Sequence, residues 1–436
     1  MTLDVVVLSA ETIKPSLPTP KHLKTFKLSL LDQYSPLFGV PVILFFSSEG
    51  DYGRFVNTNM SDKLKTSFSQ ALSQFYPLTG KVMNNYFIDC DDSGVEYLET
   101  QVNCRLDQVL DCPKAEELNQ LLPVKLNSFG MNPETQLEIQ VNIFQCGGMA
   151  IGSRISHKVA DAATLCAFIN TWASIARGGA MIVSPQFDSA ALYPTKEVVS
   201  PFKPPKAGGL QQRVVTKRFV FHPSKIASLK AKSVNKSFVE NPTRVEVVSA
   251  LLWKCLMNAS ISSPRSIIKP FMMNIAVNLR TRMVPPLPDH SFGNLILGAM
   301  PSSEREAGLH CLVGKLRKAI KKIDSNYLNN LKYNDGISMF HDSLRQLHEL
   351  SVKEEIGFYT ITSWCRFPFY EADFGWGKPI WATPLSVAHK NLVVLMDTKC
   401  GKGIEAMVSL DDEEMAIFES DQELLAFASE NRLLEN

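Results

Sequence analysis

A histidine and an aspartate four residues apart, in the segment His157-Lys158-Val159-Ala160-Asp161, are the first candidates for chemistry in this chain. A neutral imidazole, with an ordinary pKa of about 6.5, can take a proton near neutral pH and return it. General-base catalysis by such a group accelerates a reaction roughly 10²–10⁴-fold. The spacing alone favours a plainer explanation, in which the pair begins a helix and the aspartate interacts with the helix dipole. The surroundings of the pair must therefore decide between the two.

A second conspicuous segment is Asp373-Phe374-Gly375-Trp376-Gly377-Lys378-Pro379. Two glycines around a tryptophan, followed by a proline, do not suit the interior of a helix or a regular strand. The segment therefore predicts a tight loop with unusual backbone angles. We expect Asp373 to be a catalytic residue and Gly375, Trp376 and Gly377 to support the geometry of the site. The alternative is a buried aromatic corner that shapes the site without taking part in chemistry.

Three further side chains are candidates for supporting roles. The hydroxyl of Thr362 and the indole N–H of Trp364 are donors that could stabilise an oxyanion or meet a substrate. A plain strand is the alternative at these positions. Arg280 follows a predicted strand at 271–278 and is suited to pair with a buried carboxylate such as Asp161.

Several other kinds of catalytic site lack their motifs in this sequence. It contains no G-x-S-x-G nucleophile elbow, no G-x-x-x-x-G-K-[ST] phosphate loop, no H-E-x-x-H zinc helix and no C-x-x-C pair. The absence of an evident serine or cysteine nucleophile favours direct attack by a substrate over a covalent enzyme intermediate. We expect no metal site.

The pattern around His157 predicts the elements that must hold it. Apolar residues alternate with polar ones over 137–143 and again over 149–155, which is the period of half-buried strands. Over 165–175 the apolar spacing becomes helical, and Gly178 ends that helix. Residues 157–161 thus lie where a strand gives way to a helix, and active-site groups are often held at such junctions.

The rest of the chain also mixes helices with strands, so the fold class is α/β or α+β. The predicted elements are a strand at 5–8, a helix from Ser61 to Phe75, a hairpin turn at 91–94, a strand at 215–221, a helix opened by the capping box of Thr243 and Glu246, a strand at 271–278, a hairpin of 391–397 with 404–410, and an acidic helix at 411–427.

The composition is that of a globular protein with two domains. The chain has 436 residues, of which 45% are hydrophobic and 20% charged. Prolines and glycines concentrate at 194–212, which we interpret as a linker between an N-terminal domain, 1–193, that carries residues 157–161 and a C-terminal domain, 213–436, that carries residues 373–377.

Charge and apolar runs exclude other classes of protein. Lys and Arg total 45 against 44 Asp and Glu, so no positive excess favours nucleic acid as a partner. No apolar run is long enough to span a membrane, and the first residues are interpreted as a strand and not as a secretion signal. With nine scattered cysteines, we expect reduced thiols and a cytoplasmic location.

Taken together, HKVAD at 157–161 and DFGWG at 373–377 resemble the two hallmark motifs of the plant BAHD acyltransferase family, in the same order. Other blocks resemble family sequence as well: PTP at 18–20, LLDQ at 30–33, FYPLTGK at 75–81, NLR at 278–280 and SWCRF at 363–367. The resemblance covers essentially the whole chain. It is strongest to a subgroup that mostly acetylates alkaloid hydroxyls and also includes acyltransferases for volatile alcohols.

This resemblance implies a fold, a reaction and roles for the candidate residues. The fold would be a two-domain, chloramphenicol acetyltransferase-like CoA-dependent acyltransferase fold with a central solvent channel. Acyl-CoA, with acetyl-CoA expected, would meet a small-molecule alcohol at His157, the base, with no permanently bound cofactor and no metal. Asp161 would pair with Arg280 as a structural residue, residues 373–377 would hold loop geometry, and Thr362 and Trp364 would lie near the oxyanion or the acceptor.

The function expected from the sequence is therefore acyl-CoA-dependent O-acyl transfer to a specialised-metabolite hydroxyl such as that of an alkaloid. Three alternatives stay open: an acyltransferase for volatile or other small alcohols with a different acyl donor, an inactive homologue that binds a ligand, and a hydrolase in which His157 activates water. We expect a monomer with no nucleic-acid or membrane partner.

Overall fold

The computed structural model describes residues 3–47, 58–123, 134–179, 183–197, 213–235, 239–263, 270–304, 307–333, 356–385 and 389–430, with a few positions between 337 and 349. Contacts within the chain divide it into two compact units. The first comprises Met1–Pro201, Leu287–Leu295 and Phe367–Val387, and the second comprises Phe202–Pro286, Ile296–Arg366 and Ala388–Asn436. Both units mix helices and strands, which confirms the predicted class.

The elements are numbered in chain order through both units. The strands are β1 (Val5–Ile13), β2 (Thr25–Lys27), β3 (Gly39–Phe46), β4 (Lys81–Met83), β5 (Phe87–Asp89), β6 (Val95–Val102), β7 (Leu137–Phe144), β8 (Met149–Ser156), β9 (Val214–Phe221), β10 (Phe271–Asn278), β11 (Ile296–Ala299), β12 (Ser302–Ser303), β13 (Gly357–Ser363), β14 (Trp381–Pro384), β15 (Leu392–Asp397), β16 (Ile404–Asp411) and β17 (Ser429–Glu430). The helices are α1 (Leu30–Tyr34), α2 (Thr58–Gln74), α3 (Leu106–Asp111), α4 (Ala115–Leu118), α5 (Ala162–Arg177), α6 (Ser189–Leu192), α7 (Pro223–Ser233), α8 (Arg244–Ser262), α9 (Leu309–Lys322), α10 (Ser325–Asn330), α11 (Asp412–Glu419) and α12 (Gln422–Phe427).

A six-stranded sheet in the order β1-β6-β7-β8-β3-β14 forms the centre of the first unit. Only the β6–β7 pair within it is parallel. Helices α2 and α5 pack against each other, and the ring of Phe68 on α2 lies 4.9 Å from Trp172 on α5 and 5.6 Å from Tyr97 on β6. The predicted helix from Ser61 is confirmed as the greater part of α2. Its apolar stripe packs α2 against this core.

Strands β7 and β8 are where predicted but are more deeply buried than predicted. Every residue of β8 is buried, and so is every residue of β7 except Ile143. The polar face of β7 is covered because its amides find partners inside: Gln140 Nε2 donates to Asn142 Oδ1 at 2.7 Å, and Asn142 Nδ2 donates to the carbonyl of Leu121 at 2.9 Å. The alternation marked the strand correctly, but the expectation of one solvent-facing side was wrong.

The turn at 91–94 does not close a hairpin, contrary to prediction. Strand β5 before it belongs to a separate three-stranded sheet, β2-β5-β4, whereas β6 after it joins the six-stranded sheet. Asp92 fixes this crossing by accepting from the backbone N–H of Thr19 at 3.1 Å and from Lys24 Nζ at 2.5 Å. The sequence predicted the turn correctly, but it did not predict that the strands on either side of the turn belong to different sheets.

The second unit is built on a sheet in the order β11-β10-β13-β15-β16-β9-β17, with β12 beside β10. The predicted capping box of α8 is present, since Glu246 N–H donates to Thr243 Oγ1 at 3.2 Å and Thr243 N–H donates to Glu246 Oε2 at 2.7 Å. By length and composition alone α8 could cross a membrane, but 61% of that window is buried inside the protein, as expected of a core helix.

The two units do not divide the chain where the sequence suggested. Residues 373–377 lie in the first unit and not in a C-terminal domain, because β14, just after them, pairs antiparallel with β3, with Trp381 opposite Phe45. Most of the predicted linker lies outside the described residues. The predicted acidic helix is two helices, α11 and α12, with Asp421 capping the second.

Candidate active site

His157 lies in the turn that joins the end of β8 to the start of α5, as predicted. Its backbone N–H donates to the carbonyl of Phe38 at 2.8 Å, and the N–H groups of Val159 and Ala160 return to the carbonyl of Ser156 at 3.1 and 3.2 Å. The half-buried imidazole meets the Phe38 ring edge-on, with centroids 5.1 Å apart. Backbone and ring are therefore both held by the strand that precedes the turn and by the segment just before β3.

The side chain of Asn294 determines the protonation pattern of the His157 ring. Asn294 Nδ2 donates to the His157 carbonyl at 2.8 Å and to Asp32 Oδ1 at 2.9 Å, which leaves its amide oxygen 2.9 Å from His157 Nδ1. Because an amide oxygen only accepts, Nδ1 must carry the hydrogen in the neutral ring. The lone pair is then on Nε2, the nitrogen that can act as a base.

Asp161 holds the segment that carries Asn294. Its Oδ1 caps α5 by accepting from the N–H and the hydroxyl of Thr164 at 2.9 and 3.0 Å, while its Oδ2 accepts from the N–H of Leu295 at 3.1 Å. The Thr164 hydroxyl also bonds Gly293. Asp161 is thus connected to the His157 ring through the neighbouring segment, and the structural role expected of it stays a prediction.

The loop at 373–377 is held by its own aspartate. Asp373 Oδ1 accepts from the N–H groups of Gly375 and Gly377 at 2.8 and 3.0 Å, and both glycines have positive φ, 106° and 105°. A residue with a side chain would be strained at either position. The ring of Phe374 stacks on Trp376, with centroids 5.4 Å apart, and meets Trp172 of α5 at 4.9 Å. The loop therefore braces α5, the helix that follows His157.

The contacts of Asp373 support a positioning role in its loop. Its second oxygen accepts from Arg177 Nη1 at 3.3 Å, and within the described part of the chain it makes no hydrogen bond with the His157 ring. Burial tends to raise the pKa of Asp373, but the N–H groups of Gly375 and Gly377 together with Arg177 outweigh it and lower that pKa. The catalytic role predicted for Asp373 has no such contact behind it and stays a prediction.

The remaining candidates lie in the second unit. Thr362 is half-buried near the end of β13, opposite Val394 of β15, and the buried Trp364 donates its backbone N–H to the Leu395 carbonyl at 2.7 Å. Arg280 is fully buried just after β10, where its backbone N–H donates to Asn278 Oδ1 at 3.1 Å. The oxyanion or acceptor roles of Thr362 and Trp364, and the pairing of Arg280 with Asp161, stay predictions.

The sequence and the fold of this chain are both similar to those of known proteins. A family model described as the Transferase family matches residues 3–425. Limonoid 21-O-acetyltransferase of Citrus sinensis is 37% identical over 98% of this chain and 99% of its own length, and salutaridinol 7-O-acetyltransferase of Papaver somniferum is 37% identical over 95% and 96%. The crystal structure of vinorine synthase superimposes with a TM-score of 0.84 at 34% identity, covering 98% of this chain and 99% of that one.

This chain belongs to the BAHD acyltransferase family.

Membership in the BAHD family establishes what the sequence resemblance implied about class. The protein is an acyltransferase with the two-domain, chloramphenicol acetyltransferase-like fold, and acyl-CoA is its co-substrate. Both hallmark segments of the family, residues 157–161 and 373–377, lie in the first unit.

Burial keeps the BAHD histidine in its neutral form. Desolvation lowers the pKa of His157 below its usual 6.5; the charge of Asp161 and the hydrogen bond with Asn294 oppose this, and the charge of Lys158 adds to it. A neutral imidazole is the form that accepts a proton. At neutral pH the ring is therefore ready to act as a base through Nε2.

Lys158, the second residue of HKVAD, is a buried cation that anchors the turn. Its ammonium donates to the carbonyls of Asp32 and Gln33 at 3.1 and 2.9 Å and to Asn85 Oδ1 at 2.9 Å. Burial lowers its pKa to about 8, although the charge of Asp32 opposes the shift. The two carbonyls tie the turn to α1, and Asn85 ties it to the segment between β4 and β5.

Sequence reasoning missed three residues of this site, namely Asp32, Lys158 and Asn294. Asp32 had a local signal, because Ser29-x-x-Asp32 has the spacing of a capping box. Lys158 lies inside the HKVAD motif, but no role was predicted for it from the sequence. Asn294 follows Gly293, whose φ is 112°, and nothing in its local sequence indicates a partner 137 residues away.

The described residues contain no group of three or more His, Cys, Asp or Glu side chains placed to hold a metal ion. All nine cysteines are free thiols, and burial raises the pKa of Cys166, which lies on α5 and belongs to the core.

Proposed function

We propose that this BAHD acyltransferase transfers an acetyl group from acetyl-CoA to a hydroxyl of a specialised metabolite, with His157 as the general base. The observation that carries the proposal is the imidazole held neutral, with hydrogen on Nδ1 and a lone pair on Nε2. The names of the relatives support the acetyl group and the hydroxyl, since they are O-acetyltransferases that act on a limonoid and on salutaridinol.

The proposed reaction is a direct transfer in one site. His157 Nε2 takes the proton of the alcohol hydroxyl as its oxygen attacks the thioester carbonyl carbon. The tetrahedral intermediate then loses its C–S bond, and the imidazolium returns the proton to the leaving sulfur. The products are the ester and free CoA thiol, and the histidine is regenerated. General-base action contributes roughly 10²–10⁴-fold, and holding both substrates together contributes further through proximity.

Stabilisation of the oxyanion is proposed from the donor groups in the sequence and from the resemblance to the family. We retain Thr362 and Trp364 as its proposed donors or as groups on the acceptor side.

We likewise retain the pairing of Asp161 with Arg280, a monomeric state and a cytoplasmic location as proposals. Size-exclusion chromatography with light scattering tests the monomer, and fractionation of the producing tissue tests the location.

The decisive experiment is a screen of acyl donors against alcohols. Purified protein is incubated with acetyl-, malonyl- and longer acyl-CoA, each with alkaloid, limonoid and volatile alcohols, and products are read by mass spectrometry while free thiol is followed. Ester formation with acetyl-CoA and a polycyclic alcohol supports the proposal. Selective use of volatile alcohols or another donor would revise its substrate, CoA release without an acceptor would indicate a hydrolase, and no turnover with any pair would indicate an inactive homologue.

A further inference from the structure

Asp32 on α1 is a fully buried carboxylate that the proposed reaction does not use directly. We propose that Asp32 is a positioning residue for acyl transfer: its Oδ1 sets the orientation of the Asn294 amide, and that amide sets which nitrogen of His157 carries the hydrogen. The inference rests on the proposed role of His157 as base and extends it to a chain of three side chains from α1 to the ring.

The two oxygens of Asp32 have separate partners. Oδ2 accepts from the N–H and the hydroxyl of Ser29 at 2.8 and 2.6 Å, which completes a capping box at the start of α1. Oδ1 accepts from the backbone N–H and the side-chain Nδ2 of Asn294, at 2.8 and 2.9 Å. Capping the five-residue helix α1 requires only Oδ2. Both hydrogen bonds to Oδ1 come from Asn294, the residue that contacts the His157 ring.

The orientation of the Asn294 amide follows from Asp32. An asparagine side chain presents an oxygen and a nitrogen of nearly equal shape, so its partners decide which way it faces. With Nδ2 toward Asp32 Oδ1 and the His157 carbonyl, both of its hydrogens are used. The reverse orientation would place the amide oxygen against a carboxylate and a carbonyl, leaving three buried acceptors together.

The protonation of the ring follows from the amide. In the observed orientation, the amide oxygen lies 2.9 Å from His157 Nδ1 and can only accept. In the reverse orientation, an N–H of Asn294 would face Nδ1 and the ring hydrogen would move to Nε2. A ring with hydrogen on Nε2 has no lone pair there to take the proton of an alcohol. Asp32 therefore selects the tautomer that works as a base.

The position of α1 is also held by hydrogen bonds from Lys158 to its backbone. The ammonium of Lys158, next to His157 in the chain, donates to the backbone carbonyls of Asp32 and Gln33 at 3.1 and 2.9 Å. Asp32 and Asn294 are both fully buried, so water does not compete for these contacts. Helix α1, which presents Oδ1 to Asn294, is thus itself hydrogen-bonded to the turn that carries His157.

The test compares a variant that removes all contacts of the carboxylate with one that removes only a contact on the Oδ2 side. Asp32→Ala removes both oxygens, whereas Ser29→Ala removes only a partner of Oδ2 and leaves Oδ1 on Asn294. We expect both variants to lower the melting temperature. We expect Asp32→Ala to lower kcat about 10²-fold or more, since loss of the carboxylate that sets the tautomer in a Ser-His-Asp triad costs about 10⁴-fold. The KM for acyl-CoA should change less than about threefold, and kcat of Ser29→Ala should stay within about threefold of wild type.

A spectroscopic measurement reports the tautomer directly and does not depend on turnover. Protein labelled with ¹⁵N at its eight histidines is compared with His157→Ala to assign the ring, and long-range ¹H–¹⁵N correlation distinguishes Nδ1–H from Nε2–H. The wild-type ring should carry Nδ1–H at neutral pH, and this signature should weaken in Asp32→Ala. If that variant does not fold, the isosteric Asp32→Asn replaces it, and we expect its kcat and its Nδ1–H population to fall together; full kcat in that variant would then overturn the inference.

Three results would overturn the inference: a wild-type ring with hydrogen on Nε2, full kcat in Asp32→Ala, or a loss of kcat with Nδ1–H retained. These outcomes are separate from failure of the proposed function. If His157→Ala keeps full turnover, the base assignment fails while the tautomer measurement stands. If His157→Ala is inactive and Asp32→Ala is fully active, only the role of Asp32 fails.

Discussion

The turn at residues 157–161 and the loop at residues 373–377 each contain an aspartate that accepts backbone N–H groups, but over different reaches of the chain. Asp161 joins the start of α5 to Leu295, 134 residues away. Asp373 bonds Gly375 and Gly377 within its own loop, and its distant partner Arg177 has a side chain that is 52% exposed. We therefore expect Asp161, which joins distant segments, to position His157, and Asp373, which is bonded mainly within its loop, to maintain the shape of that loop.

The largest effect is expected from removal of the His157 imidazole. We expect His157→Ala to lower kcat/KM by about 10²–10⁴-fold, because no other described side chain replaces the Nε2 lone pair. The free energy of unfolding should change by less than about 1 kcal/mol, since the ring is only half-buried. Steady-state kinetics and chemical denaturation measure the two effects. His22→Ala, at an exposed position in the same unit, is the matched control and should be unchanged; full turnover in His157→Ala would refute the base.

Asp161→Ala tests whether the bridging aspartate acts on the ring. The variant loses the cap of α5 and leaves the buried N–H of Leu295 without its acceptor, so we expect the unfolding free energy to fall by about 2–4 kcal/mol. We also expect kcat to fall at least about tenfold, because Asn294 loses its anchor. Asp421→Ala removes the cap of α12 in the second unit and should lower stability alone. Equal kcat in the two variants would place Asp161 with the purely structural caps.

The pH dependence of the rate tests whether His157 is neutral in the folded protein. Since burial lowers the pKa of His157 below 6.5, the ring stays neutral, and kcat/KM should stay constant, as pH falls through the usual titration range of histidine. Below the lowered pKa the rate should fall up to about tenfold per pH unit. Between that pKa and about 6.5 the unfolded chain binds more protons than the native one, so stability should also fall with pH. A rate that already falls above pH 6.5 would contradict the direction of the shift.

The smallest effect on catalysis is expected at Asp373. Asp373→Asn keeps an amide oxygen for the N–H groups of Gly375 and Gly377, so stability should change little. Asp373→Ala removes that acceptor and should lower the unfolding free energy by about 1–3 kcal/mol. In both variants kcat should stay within about threefold of wild type, as judged from enzyme that is still folded. A loss of about 10²-fold or more in Asp373→Asn would restore the catalytic role predicted from the sequence.

Local patterns predicted the elements of the fold well, because their causes are local. The strand-to-helix junction at His157, the strand β10 and the capping box of α8 were found from periodicity and spacing over fewer than twenty residues. Burial of the polar face of β7 could not be predicted this way, since the partners of Asn142 include Leu121 on a separate segment.

The site was predictable only as far as its motifs. HKVAD and DFGWG identified the family and a candidate base, yet the hydrogen-bonded partners around that histidine are far apart in sequence. His157 and Asn294 are 137 residues apart, and Asn294 and Asp32 are 262 apart. Such contacts are set by topology, which spacing does not reveal. The same reason explains why residues 373–377 belong to the first unit, since only the pairing of β14 with β3 places them there.

The first unit is discontinuous in sequence, and this bears on how the enzyme is made. The segment bearing Asn294 begins 86 residues after the first long stretch of the unit ends at Pro201, and its last strand, β14, ends 183 residues after that point. A ribosome must therefore synthesise nearly nine-tenths of the chain before the histidine can acquire all of its supports. A truncated amino-terminal half would carry His157 without Asn294, so we expect activity to emerge late in translation and not to be recovered from that half alone.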